Sequence, residues 1–353
     1  MITEIRLQHF RSYADDSFEF SPGVNIIVGP NASGKTNLLE AVLLIARGAS
    51  YRAKDVELIQ FGAPWARLEA HTEIGSRVVK LDHQTGALKK VFEIDEQPYQ
   101  RLSLQKTIPT VVFEPNHLLL LTGAPELRRS YVDDLIEQVV PGFAATRRHY
   151  RRALSQRNAL LKRGFAIASQ QMFVWNLRLS ELGGKIATER MKLIDDINAI
   201  ATAMYRDLSR TDATVQLVYK STCAQQYETS LLHQLETNLE KDCLIGFTSV
   251  GPHRDDVVVM LNDRPAEITA SRGETRTLVL MLKIVALQTL EKARGTTPLL
   301  LLDDVFSELD GSRRQALTTH LQPYQTFITT TDADVVVRHF TETAQIIPIS
   351  SAK

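Results

Sequence analysis

The sequence predicts an α/β protein in which a helical domain interrupts a sheet-bearing one. Three observations carry this. The short apolar run Val24–Val28 stops at Gly29 and, after a glycine-containing loop, gives way to the helical pattern of Thr36–Arg47. Leu299–Leu302 is wholly apolar and ends on Asp303-Asp304, as expected of a strand in the middle of a parallel sheet. Between them, from about Pro125 to Ser209, the texture is helical.

The elements follow in order. Ile2–Phe10 part-alternates and reads as a strand, as does Phe18–Phe20. In Thr36–Arg47, Leu38, Leu39, Val42, Leu43 and Ile45 supply the apolar positions. Arg67–Ile74, Arg77–Leu81 and Lys90–Ile94 read as antiparallel strands, separated by Gly75-Ser76 and by Gln84-Thr85-Gly86. Thr110–Phe113 is a short strand closed by Glu114-Pro115. Glu126–Val140 and Gly142–Arg163 are helices parted by Pro141-Gly142. Gln171–Ser209 is one long helix, with Leu179, Leu182, Ile186, Leu193, Ile197, Ile200, Met204 and Leu208 at helical steps. That stripe suits core packing of a helical hairpin or a short coiled-coil seam, and Gly183-Gly184 predicts a kink in it. Strands return at Thr214–Tyr219 and Asp256–Leu261, and the turn at Asn262-Asp263 leads to another at Ala266–Thr269. Helix Glu274–Ala293, strand Pro298–Leu302, helix Arg313–Leu321 and strand Thr326–Thr330 complete the chain.

Composition excludes several classes. The 353 residues are 44% hydrophobic and carry 41 basic and 41 acidic side chains, a globular mix that rules out disorder. No apolar run approaches the ~18 residues of a membrane span. Two cysteines, Cys223 and Cys243, neither build a disulfide framework nor fill a four-ligand zinc site. The start, with an acid at Glu4 and no apolar core segment, reads as no signal peptide. A cytoplasmic location and no membrane partner are expected.

The chemistry is concentrated in two places. Gly29, Pro30, Asn31, Ala32, Ser33, Gly34, Lys35 and Thr36 fit G-x-x-x-x-G-K-[ST] at every fixed position, between a buried strand and a helix. Such a loop wraps its N–H groups around phosphate, with the helix N-terminus adding partial positive charge. Lys35 is then the cation for the β- and γ-phosphates and Thr36 a hydroxyl for Mg²⁺. Asp303 and Asp304, at the C-terminal end of the apolar strand, supply the acidic partner: Asp303 toward Mg²⁺, Asp304 toward the attacking water. Ser271-Arg-Gly273-Glu274 opens a helix about thirty residues earlier, and it also fits a capping box.

The order of these pieces, with Leu7-Gln-His-Phe-Arg11-Ser-Tyr13, Val112-Phe-Glu-Pro115, Gly123-Ala-Pro-Glu-Leu-Arg128-Arg129, Gly251-Pro-His253-Arg254-Asp-Asp256 and Leu301–Asp310, resembles the heads of the ABC-type ATPases of chromosome maintenance and DNA repair. The likeness is to the SMC-like group, above all its bacterial recombination branch. The resemblance implies an ATPase head of two lobes, a mixed sheet lobe and an α/β lobe, at 1–121 and 245–353, with a helical arm at 122–244. It implies two heads sandwiching two ATP molecules, each between one protomer's phosphate loop and Ser271 and Gly273 of the other. ATP and Mg²⁺ are the implied cofactors; hydrolysis is slow and acts as a switch or clamp. The implied partners are DNA (single-stranded or gapped duplex, without sequence preference), a second copy of the chain and recombination mediator proteins, with roles in recombinase loading, replication recovery and the SOS response. Glu274 departs from the usual Gln, Asp304 from the transporters' Glu, and Thr329–Asp332 stands where transporters carry a His. Glu114-Pro-Asn116 is a positional candidate for the glutamine loop. Leu7–Tyr13 reads either as a lid on the nucleotide base with Arg11 near the ribose, or as a strand end with a core Phe.

A basic run, Arg147, Arg148, Arg151, Arg152, Arg157, Lys162 and Arg163, contains no acid. It reads as a backbone-type DNA contact or as a helix face paired to acids such as Asp133, Asp134, Asp195 and Asp196. Two rival functions remain: a nucleotide-gated SMC-like scaffold with little turnover, and a transporter-type ATPase subunit. The 234 residues between Thr36 and Ser271 fit the transporter poorly.

Overall fold

The computed structural model describes residues 1–50, 52–223, 226–305, 310–331 and 344–350. In chain order the elements are β1 (Ile2–Phe10), β2 (Tyr13–Glu19), β3 (Val24–Val28), α1 (Lys35–Arg47), β4 (Trp65–Thr72), β5 (Gly75–Asp82), β6 (Lys89–Ile94), β7 (Gln97–Tyr99) and β8 (Thr110–Phe113). Then come α2 (Pro125–Val139), α3 (Phe143–Leu161), α4 (Phe165–Ser209), β9 (Val215–Lys220), α5 (Tyr227–Thr237), α6 (Leu239–Ile245), β10 (Asp256–Leu261), β11 (Arg264–Pro265) and α7 (Ala266–Thr269). The remainder is α8 (Arg272–Arg294), β12 (Leu299–Asp303), α9 (Gly311–Leu321), β13 (Thr326–Thr330) and β14 (Gln345–Pro348).

Two compact units result: Met1–His117 with Ala286–Lys353, and Leu118–Val285. The boundary expected at 244/245 differs from this division because β10 pairs antiparallel with β9 along its whole length, which knits residues 256–261 to the second unit.

The first unit holds an antiparallel six-stranded sheet, ordered β2-β1-β4-β5-β6-β7, and a five-stranded sheet ordered β14-β3-β13-β12-β8 whose pairings are all parallel. Helix α1 touches β4 and β5 of the former and β8, β12 and β13 of the latter. Sandwiched between two sheets, it is apolar on all sides: Leu38, Leu39, Val42, Leu43, Leu44 and Ile45 are each at most 2% exposed. The one carboxylate inside, Glu40, is met by Arg11 at 2.8 Å. Strand β12 is buried at all five positions, as its Leu run requires in a strand with neighbours on both edges.

In the second unit α4 packs on α3, α5 and β9. The predicted stripe is core: Leu179, Leu182, Ile186, Leu193, Ile197 and Leu208 are buried, while Ile200 and Met204 are half-buried. Helix α4 continues without a break through Gly183-Gly184. The glycines permit close approach. A Cβ on Gly183 would come within 2.6 Å of Leu231 and one on Gly184 within 3.0 Å of Glu228, both on α5. The three-stranded sheet β11-β10-β9 is flanked by α4, whose Asn198 and Thr202 side chains hydrogen-bond both N–H and C=O of Leu217 and Val215 on β9. Ala266–Thr269, read as a strand, is the short helix α7, its Thr269 hydroxyl bonding back to the Pro265 carbonyl. Elements β7, α5, α6 and β14 carried no expectation.

The second unit is pinned by Arg157. Fully buried on α3, it donates to Asn176 Oδ1 (2.8 Å), Asp242 Oδ2 (2.7 Å), Thr248 Oγ1 (2.8 Å) and the Leu235 carbonyl (2.9 Å). One guanidinium thus joins α3, α4, α5, α6 and the segment that follows, which uses the fixed fork of donors that Lys lacks.

Candidate nucleotide-binding site

Strand β3 delivers Gly29–Thr36 to the start of α1. β3, β13 and β12 are parallel neighbours, so the loop and the end of β12 emerge from one sheet edge, a strand apart. Ala32 (φ 63°) and Gly34 (φ 103°) lie in the left-handed region, alternating with Ser33 and Lys35, which do not. That alternation turns successive N–H groups to one side, the geometry of an anion nest. A Cβ on Gly34 would also come within 2.7 Å of Ser12 Oγ. Lys35 Nζ lies back over the loop, donating to the Gly29 and Pro30 carbonyls at 2.9 and 3.0 Å. Ser33 Oγ is buried and has no hydrogen-bond partner among the described residues, so the loop holds a polar atom suited to a phosphate oxygen.

The two halves of the motif meet. Thr36 Oγ1 donates to Asp303 Oδ1 at 2.8 Å, and Thr329 Oγ1 donates to the same oxygen at 2.9 Å while accepting from the Asp304 N–H. Arg52 lies 3.1 Å from Asp303 Oδ2 and 3.1 Å from Glu114 Oε2. A hydroxyl and a carboxylate side by side are the hard-oxygen donors that Mg²⁺ takes from protein when phosphates supply the rest of its shell. Asp304 sits at positive φ (53°). Burial raises its carboxyl above the ordinary range; Lys35 opposes that shift and Asp303 adds to it. Two contributors lacked a sequence signal: Arg52 belongs to no motif, and Thr329 stood only where a His was missing. Glu114, singled out by position, reaches the site through Arg52.

Phe10 is core, and Arg11 is committed to Glu40 and the Glu57 carbonyl. Tyr13 donates to the Gly34 carbonyl at 3.0 Å, holding the loop from behind. Ser271 and Gly273 open α8 in the second unit. There the capping box is formed: the Ser271 N–H reaches Glu274 Oε2 at 2.8 Å and the Glu274 N–H reaches Ser271 Oγ at 3.3 Å. These bonds lower the Glu274 carboxyl's pKa. Of the Leu301–Asp310 run, residues 306–309 lie outside the described residues, as does Asp332; Asp310 caps α9 through the Arg313 N–H.

The basic run splits. Arg157 is corrected from a DNA contact to a structural residue, since its guanidinium is enclosed and bonded throughout. Arg147 is likewise committed, to Asp133 at 3.1 Å and Glu137 at 2.5 Å. Arg148, Arg151 and Arg152 are exposed.

The Gly251–Asp256 motif divides its side chains. Asp255 accepts from Tyr219 (2.6 Å), Tyr227 (2.5 Å) and Ser221 (2.7 Å), and Asp256 pairs with Arg128 through two 2.8 Å bonds. Gly251 has φ 118°, and a Cβ there would lie 2.8 Å from Tyr150 Oη. His253 Nε2 faces the Thr248 carbonyl at 3.1 Å, an acceptor only, so Nε2 carries the proton and Nδ1 accepts from Tyr150 at 2.8 Å. Burial pushes the imidazole down from 6.5 to about 4. The unfolded chain therefore takes up a proton that the folded chain refuses. Stability from this group is complete above about pH 6.5 and declines as pH falls toward 4, by at most about 3 kcal/mol. Urea unfolding at pH 7.5 and pH 5 should show the decline, and His253→Gln should flatten it; equal pH dependence in both proteins would contradict it.

The chain matches the family described as RecF/RecN/SMC N terminal domain over residues 1–351. It is 36% identical over 347 residues to the DNA replication and repair protein RecF of Heliobacterium modesticaldum, covering 94% of this chain and 92% of that one. To the protein of that name from Ligilactobacillus salivarius it is 32% identical over 367 residues, covering 100% and 96%. A solved structure described as the recombination mediator protein RecF-ATPrS in the RecFOR pathway superposes with a TM-score of 0.86 at 28% identity, covering 95% of this chain and 94% of that one. An Smc head bound to the C-winged helix domain of ScpA gives 0.52 at 14% identity, covering 95% and 91%, a likeness of fold alone. The architecture is that of an SMC-like, ABC-type ATPase head.

Proposed function

The chain belongs to the RecF/RecN/SMC N-terminal domain family, and from that membership we propose that it is an ATP-dependent DNA-binding protein of recombination and repair. The observation that carries the reading is the 2.8 Å contact between Thr36 and Asp303, which joins the phosphate loop to the acidic strand end. Gly29–Thr36 hold the triphosphate, with Lys35 leaving the loop carbonyls for the β- and γ-phosphates. Thr36 and Asp303 hold Mg²⁺, which when bound neutralises charge developing on the phosphates. Asp304, its carboxyl raised by burial, orients the attacking water and accepts its proton, and hydrolysis is slow.

ATP closes two copies into a dimer in which Ser271 and Gly273 of one protomer meet the γ-phosphate held by the other. The functional division is a head of 1–121 and 245–353 with an arm of 122–244. The closed dimer acts in the cytoplasm as a clamp or switch at gapped or damaged DNA, with recombination mediators as partners. It supports recombinase loading, replication recovery and the SOS response.

The test is complementation between two defects. Lys35→Ala removes the phosphate cation, and Ser271→Arg puts a bulky charge where the partner's γ-phosphate docks. Each alone should be inactive. Mixed in equal amounts, about half the dimers carry one intact site of two, so ATPase should recover to roughly a quarter of wild type. If neither turnover nor ATP-dependent dimers return, each chain closes its own site and the sandwich is wrong.

A further inference from the structure

The nucleotide reaction uses neither the arginines of α2 and α3 nor the cationic half of the Gly251–Asp256 motif. These meet in the second unit around a cleft of about 390 Å³, walled by α2, α3, α4 and the 252–254 segment. Five arginines line it, Arg129, Arg147, Arg151, Arg190 and Arg254, against two carboxylates, Glu126 and Asp133. Asp133 is shared: it pairs with Arg190 at 2.8 Å and with Arg147 at 3.1 Å. The carboxylates of Asp255 and Asp256 are bonded elsewhere, as described above, and do not line the cleft.

The remaining cations are presented rather than paired. Arg151 is exposed and makes no hydrogen bond or ion pair among the described residues. Arg254 lies over the Phe247 ring at 4.9 Å and, among the described residues, donates only to the Thr248 carbonyl, at 3.4 Å. Arg129 donates to the Asp255 carbonyl at 2.7 Å. Its guanidinium is held below its ordinary range by burial and then by the neighbouring Arg190 cation, a place where added negative charge is favoured. The segment bearing Arg254 is fixed from three sides: Arg190 donates to the Pro252 carbonyl at 2.6 Å, Arg129 to that of Asp255, and His253 to that of Thr248. Guanidinium forks on a preorganised segment match the oxygens of phosphate.

We propose that this cleft seats the backbone phosphates of a single DNA strand, with Arg151 and Arg254 as the principal contacts and Arg129 behind them. The proposal rests on the DNA-binding reading above and gives it a location. A cleft of this volume admits one sugar–phosphate backbone and not two. The walls carry no amide side chain, and Glu126 is their one carboxylate without an ion pair among the described residues, so the guanidinium contacts fall on phosphate rather than on base edges.

The experiment titrates the full chain, with ATP and Mg²⁺ present, with a short fluorescein-labelled oligothymidylate, read by anisotropy over a salt series. Arg151→Gln with Arg254→Gln should weaken binding roughly tenfold or more. It should also reduce the log–log salt slope by about 0.7 for each phosphate no longer neutralised. Arg151→Gln alone, at an exposed and unpartnered side chain, should give part of both effects with an unchanged melting temperature. The control, Lys185→Gln with Lys192→Gln on the exposed face of α4, should change affinity little. Equal weakening by the control would reduce the effect to net charge and overturn the seat. So would an unchanged slope in a double variant whose wild type binds. Calorimetry with inorganic phosphate separates the other source of this chemistry: phosphate binding abolished in the variant with DNA affinity intact would assign the cleft to a free anion and overturn the proposal. Failure of the wild type to bind the oligonucleotide while binding a gapped duplex would overturn the single-strand seat, and failure to bind either would remove the DNA-binding reading and this site with it.

Discussion

Lys35→Ala should lower ATP affinity at least about 100-fold, as expected for two charge-assisted contacts of about 1.5–3 kcal/mol each. Lys35 is 5% exposed and, among the described residues, its ammonium bonds only the Gly29 and Pro30 carbonyls. Its removal takes the donor from two loop carbonyls, and Lys35 is not one of the apolar residues of the core around α1. Fluorescent-nucleotide titration measures the affinity, and thermal unfolding without nucleotide checks that the fold survives. The expected pattern is abolished binding with a nearly unchanged melting temperature. Wild-type affinity in the variant would remove the phosphate-loop assignment, and with it the basis for Asp303 and Asp304.

The largest effect on stability is expected at Arg157. Arg157→Ala leaves the fully buried Asp242 without its cation and strips the partners from Asn176 and the Leu235 carbonyl. Breaking such a pair costs about 3–5 kcal/mol. Asp242→Leu with Arg157→Met, which removes both charges and keeps the volume, should recover a large part of that stability. Urea unfolding followed by circular dichroism measures both. A destabilisation under about 1 kcal/mol in the single variant would mean that the second unit does not depend on this residue.

Arg157 also shows where sequence reading stops. In the chain it is one of seven cations in a row, indistinguishable from Arg151 six positions earlier. What separates them is distant: Asn176, Asp242 and Thr248 close around one and leave the other in solvent. Local patterns were legible where one physical cause dominates. The Leu299–Leu302 run, ending on two carboxylates, suits a central strand, and β10 matches its predicted range because its apolar run is bounded by Asp256 and the Asn262-Asp263 turn. The phosphate loop was legible because its chemistry needs fixed residue types at fixed spacing. Helix α5 was missed although Tyr227, Leu231 and Leu235, its buried residues, stand four apart. The close approach of Leu231 and Glu228 of α5 to Gly183-Gly184 was not legible, because α5 itself was not in view. Ala266–Thr269 is too short for periodicity to decide between strand and helix. In the nucleotide site, Thr36 and Asp303 were named from the sequence, whereas Arg52 reached Asp303 through tertiary placement alone.

The side chains of Asn198 and Thr202 against β9 have a consequence for how copies of this chain meet. They hydrogen-bond both backbone groups of Leu217 and Val215, the groups turned away from β10. An outer strand with free N–H and C=O groups is a template onto which any extended segment can add. Here a helix supplies the complement from within the same chain, so this stretch of β9 offers no template to a second molecule. Self-association through this edge would first have to displace two bonded side chains, Asn198 at Leu217 and Thr202 at Val215, which makes this stretch of β9 a poor nucleus for aggregation during concentration or refolding.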